Sequence, residues 1–123
     1  MRYLTDRKRA EGKGASHTGT EHHWYMQASG AALAFLVPVF VIALGRAFGR
    51  DHAGVLEFFA RPHVAILTGL VLFVAMRHFA KGATMMIEDY ARGSTRKALI
   101  IAAISLSYLI TATGLFALAR IAL

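Results

Sequence analysis

His78, Gly82, Met85 and Asp89 follow one another at helical spacing, and Tyr90 comes directly after them. An α-helix turns about 100° per residue. His78 and Asp89 therefore lie within about 20° of each other on one face, about 16 Å apart along the axis. The stretch that holds them starts inside an apolar run and stops at Glu88, Asp89 and Tyr90. An ionisable side chain inside a membrane-spanning segment is costly and marks a functional hypothesis by default.

An imidazole at that depth can hold iron. Gly82, one turn on, removes side-chain bulk where a flat macrocycle would lie. Arg77 and Lys81 are close enough to pair with anionic propionates, and the apolar surroundings suit a low-dielectric haem pocket. The plainer alternative is a neutral imidazole bonded to a carbonyl or a serine of a neighbouring helix. His78 is the one histidine inside an expected span; His17, His22, His23, His52 and His63 lie in flanks or at a boundary. A haem with two histidine ligands would then take its second from another chain. Met85 and Met86 are ligand types, but Met85 shares a helix with His78 and cannot reach the opposite axial position. Packing explains both methionines better.

Asp89 and Tyr90 suit a quinone headgroup. Its carbonyl oxygens need hydrogen-bond donors, and a phenol is one. Asp89 could relay protons, although the negative end of a helix dipole disfavours its ionisation. The plainer alternative makes this pair a helix end and a turn at an interface.

Three apolar stretches must position these residues. Ala28 to Ala47 is nearly all apolar, with Pro38 in its middle, and about 20 residues span a hydrocarbon core. Pro38 should kink this helix. Ala28, Gly30, Ala31, Ala32 and Ala34 allow close helix approach. The second span runs over 63–87, preceded by Pro62 in the first helical turn. The third runs over 98–119, where Ser105, Ser107, Tyr108, Thr111 and Thr113 can bond helix to helix. Residues 1–23 read as a polar, basic tail and residues 24–123 as a three-helix membrane domain. Between the first two spans, residues 55–59 read as a short interfacial helix; between the last two, residues 88–97 read as a polar turn.

The bulk numbers agree. Of 123 residues, 56% are hydrophobic, and the mean hydropathy is +0.48. That is too apolar for an ordinary soluble domain. With no cysteine, disulfides, zinc thiolates and iron–sulfur ligation are excluded. A net charge of +7 would suggest nucleic acid in a soluble protein. Here the bases flank apolar runs and are not gathered on one soluble face, which argues against a nucleic-acid binder. The first 23 residues lack an apolar leader segment, so no secretory signal is expected. Eight bases in the tail and the 88–97 turn stand against four in the 46–61 loop and at Arg120. That count places the N-terminus in the cytoplasm and the C-terminus in the periplasm.

The pattern His78, Gly82, Asp89-Tyr90, late in the second of three helices, resembles the hydrophobic membrane anchor subunit of succinate dehydrogenase. The run Gly19-Thr20-Glu21-His22, followed by Trp24, resembles alphaproteobacterial members, and the resemblance covers nearly the whole chain. It implies an all-α, multi-pass protein of the bacterial inner membrane, packed with a partner anchor, the cytochrome b subunit. It implies an iron–sulfur subunit and a flavoprotein subunit as further partners, with succinate oxidised at the flavin and ubiquinone reduced at the cytoplasmic face. It implies His78 as one axial ligand of haem b, with the second from the cytochrome b subunit. Tyr90 would bond a quinone carbonyl with Asp89 beside it. Such a chain is a non-catalytic subunit with no activity alone. Many relatives carry an arginine at the start of the first helix; here Gln27 stands near that place, so Arg77, Lys81 or the partner would meet a propionate. A fumarate reductase anchor is the first alternative, and a non-redox three-helix subunit with a structural His78 is the second. A visible spectrum separates the last from the others.

Overall fold

A computed structural model describes residues 5–11 and 19–123. Arg2, Lys13 and His17 of the tail lie outside the described residues. The described chain is all helical: α1 (Asp6–Glu11), α2 (Gly19–Gly45), α3 (His52–Ala60), α4 (Pro62–Tyr90) and α5 (Gly93–Ala122). Three of these, over Thr20–Gly45, Pro62–Tyr90 and Gly93–Ala122, are long and apolar enough to cross a membrane.

Each long helix exceeds the apolar run inside it. α2 begins at Gly19, well before the apolar stretch at Ala28, and continues unbroken through Pro38. Backbone hydrogen bonding does not stop where hydropathy falls, so its first two turns are polar helix. α4 starts with Pro62 at its first position, where a missing N–H costs nothing. It ends only at Tyr90, so Glu88, Asp89 and Tyr90 form its last turn. The polar turn expected over 88–97 shrinks to Ala91 and Arg92, both extended. Gly93 completes the reversal at φ +62°, a left-handed conformation that glycine adopts without strain.

α4 is the central helix. It packs against α2 on one side and α5 on the other, and the α2 and α5 backbones do not approach each other. The packing device is the same on both sides: a large side chain of one helix sits over a glycine of the other. Across α4 and α5, Leu115 sits over Gly69 and Leu72 sits over Gly114. Across α2 and α4, His78 sits over Gly30 and Met26 over Gly82. Small residues let helix backbones approach where lipid offers no hydrophobic drive. A Cβ at Gly114 would collide with the Leu72 side chain. Gly114→Val should therefore cost about 1–3 kcal/mol by overpacking. The check is the thermal midpoint of the purified protein in detergent, which should fall and should partly recover when Leu72→Ala is added.

At the far end, α3 folds against α4 and α5. Asp51 caps α3 by accepting from the Gly54 N–H. Phe58 is buried with Ala47 and Val64, and the guanidiniums of Arg50 and Arg61 lie 5.2 and 5.9 Å from its ring centre. Elsewhere few side chains are buried. Phe35, Ile42, Ile66, Ile101, Leu109 and Phe116 are all exposed on the chain itself. With hydrocarbon or another apolar helix as the surroundings, that surface needs no further cover.

Candidate functional site

His78 lies on α4 twelve residues before its end, about 18 Å from the polar tip at 1.5 Å per residue. Its ring turns toward α2. Ser29 Oγ lies 2.8 Å from His78 Nδ1. The same hydroxyl donates to the Tyr25 carbonyl at 2.7 Å and approaches that of Met26 at 3.3 Å. Ser29 is buried, and a Cβ added at Gly30 would lie 3.7 Å from His78 Cε1. His78 Nε2 makes no hydrogen bond among the described residues. Gly82 shares the face, and the tip of the Met26 side chain stands opposite it, with Cε 3.7 Å from where a Cβ would be.

Arg77 and Lys81 turn to the other flank of α4. Arg77 Nη1 donates to the Tyr108 hydroxyl of α5 at 3.0 Å, and its guanidinium lies 5.8 Å from the Tyr25 ring centre. It ties α5, α4 and α2 together. Lys81 has no hydrogen bond or ion pair among the described residues. It lines a cavity of about 270 Å³ with His22, Arg77, Thr84, Glu88 and Tyr108. Just below, Ser107 Oγ donates to the Met76 carbonyl at 2.7 Å. Of the third-helix polar residues expected to bond across helices, Ser107 and Tyr108 do so. Thr111 and Thr113 bond back to carbonyls of their own helix, because a β-hydroxyl reaches the carbonyl four residues back without a partner.

His22 was placed in a flank by sequence. In the fold, its Nε2 is buried with no hydrogen-bond partner among the described residues, and the residue lines both the cavity above and a second of about 350 Å³ with Met26, Met85 and Glu88. A histidine in a polar run carries no signal of that burial. It arises because α2 begins early and lays its first turns beside the last turns of α4. Asp89 and Tyr90 stand at the α4 tip and are exposed; Tyr90 is 88% accessible. Neither lines the two cavities at this end.

The donor set is narrow. No group of three or more histidine, cysteine or acidic side chains gathers among the described residues. A haem needs only axial donors from protein, and an imidazole with one nitrogen held and the other free is such a donor. His78 fits that requirement for one axial position.

A family model described as succinate dehydrogenase/fumarate reductase transmembrane subunit matches residues 1–116. The chain belongs to this family. It is also 46% identical over 123 residues to a succinate dehydrogenase hydrophobic membrane anchor subunit of Paracoccus denitrificans, covering all of this chain and 95% of that relative. No solved structure matches the chain significantly. The family drawn from His78, Gly82, Asp89 and Tyr90 is thereby shown, and the all-helical, three-span architecture agrees with it. As a member of the succinate dehydrogenase/fumarate reductase transmembrane subunits, the chain is a multi-pass membrane protein that works beside the other subunits of such a complex.

Proposed function

We propose that this chain is the hydrophobic anchor of a succinate:ubiquinone oxidoreductase of the bacterial inner membrane, with haem b and a quinone site shared with its neighbours. The observation that carries the proposal is His78: a half-buried imidazole near the middle of a membrane-spanning helix, held at Nδ1 and free at Nε2. His78 would hold the haem iron from this chain, and the cytochrome b subunit would supply the second ligand. Bound haem b provides a one-electron relay within the membrane. Lys81, without a hydrogen bond or ion pair among the described residues and lining the cavity beside Arg77, is the better placed cation for a propionate. Arg77 is already committed to Tyr108, which makes it a brace that keeps a second positive charge nearby.

Tyr90 donates its phenolic hydrogen to a quinone carbonyl, and Asp89 beside it passes protons from the cytoplasmic side. Both sit at the exposed tip of α4, where the iron–sulfur and cytochrome b subunits complete the pocket. Succinate is oxidised on the flavoprotein, so this chain alone catalyses nothing. The cytoplasmic N-terminus and periplasmic C-terminus follow from the excess of bases in the tail and the α4–α5 region. The succinate-oxidising direction follows the Paracoccus relative's name; a fumarate reductase anchor would pair with a lower-potential quinone.

The test is purification of the complex through a tag on this chain. Flavoprotein, iron–sulfur subunit and a second anchor should come with it, and the dithionite-reduced sample should show a b-type α-band. The same Ser29 bond also suits an imidazole kept only for packing. A folded, fully assembled sample without the band would favour that non-redox reading.

A further inference from the structure

We infer that Ser29 is a positioning residue for His78: its hydroxyl fixes the imidazole tautomer that leaves Nε2 bare. The purpose of a bare Nε2 rests on the haem reading above. The tautomer itself follows from proton counting. A serine hydroxyl has one hydrogen and two lone pairs. Tyr25 and Met26 offer Ser29 Oγ only carbonyl oxygens, at 2.7 and 3.3 Å, and a carbonyl can only accept. The one hydrogen of Ser29 is therefore committed to the α2 backbone. What Oγ presents to His78 Nδ1, 2.8 Å away, is a lone pair. Nδ1 must then be the donor. A neutral imidazole carries a single N–H, so Nε2 keeps its lone pair.

Gly30, next to Ser29, faces His78 Cε1, which lies 3.7 Å from where a Cβ would stand, an ordinary contact distance. Ser29 is only 8% exposed, so water has little access to replace its hydroxyl. Ser29 thus sets the proton of the imidazole from a site screened from water. An N–H donated from the far side of an axial histidine raises the basicity of the ligating nitrogen. A more basic ligand favours the ferric over the ferrous state.

The test uses the assembled complex and reads the haem rather than turnover. Ser29→Ala removes the acceptor. The His78-dependent band should persist, with the ferric-to-ferrous ratio at fixed potential lowered up to about tenfold, an upward shift of up to about 59 mV for a one-electron couple. Haem retention on dilution should fall about tenfold. Ser29→Thr keeps a hydroxyl and should restore both. Unchanged potential and retention in Ser29→Ala would overturn the positioning role and leave the haem reading standing. A shift that Ser29→Thr does not restore would assign the effect to packing and overturn it as well. A wild-type complex without a His78-dependent band would overturn the haem reading and this inference together.

Discussion

His78→Ala should abolish the b-type α-band of the purified complex while the flavin and iron–sulfur centres stay in place. The argument is one of ligand count. Among the described residues the histidines that share this side with α4, His22 and His23, lie about two turns of α2 away from Ser29, and Met85, two turns on, lies on the same helix. None of these described side chains stands level with the vacated position. The substitution also leaves the Ser29 lone pair without its donor. Leaving one buried polar partner unsatisfied costs about 1–3 kcal/mol, which a subunit held by its neighbours should tolerate. Succinate oxidation by an artificial acceptor is the control, because that reaction needs no haem. A complex with normal acceptor activity and no band is the expected result. A band of undiminished height in His78→Ala would place the iron on other residues. Loss of acceptor activity together with the band would instead mark a failure of assembly, and His78→Gln, closer in volume, would then be read in its place.

How much of this was legible before the fold was known depends on what each residue touches. The three spans were legible because apolar runs of about 20 residues have one common explanation. The placement of His78, Asp89 and Tyr90 on one helix was legible because spacing along a helix is fixed by its pitch. The helix ends were less so. Hydropathy falls at Ala28 and at Ile87, but α2 starts at Gly19 and α4 runs to Tyr90. Backbone hydrogen bonds continue into the polar flanks, and after α4 the chain turns where Gly93 permits it.

Contacts between helices were hidden for a different reason. Ser29 sits in a stretch of alanine and glycine that signals close approach and nothing more. Which of those residues meets His78 depends on how α2 is rotated against α4, and no local pattern encodes that rotation. The same holds for Arg77. Its charge beside His78 suggested a propionate, and in the fold it also reaches Tyr108, thirty-one positions along the chain, and lies over the Tyr25 ring. Gly82 is a further case. A missing side chain was read as space, and which side chain of α2 stands opposite it, Met26, was not legible.

The second large effect concerns the tip of α4. Tyr90→Phe should lower ubiquinone reduction at least tenfold and leave succinate oxidation by an artificial acceptor unchanged. Two magnitudes support this. Tyr90 is 88% exposed on the chain and makes no hydrogen bond among the described residues. Loss of its hydroxyl should then alter the stability of this chain by less than about 0.5 kcal/mol. A donor aimed at an oxygen that gains charge is worth far more: removing one such donor typically costs about 10²–10³ in rate. A hydroxyl that merely binds the ground-state quinone would be worth about 0.5–1.5 kcal/mol, seen as a raised KM with kcat unchanged. The split between kcat and KM therefore tells whether Tyr90 acts as electrons arrive or only holds the ring. Equal loss of quinone and acceptor activities would show damage to the assembly and remove Tyr90 from the quinone site. An unchanged kcat/KM would do the same.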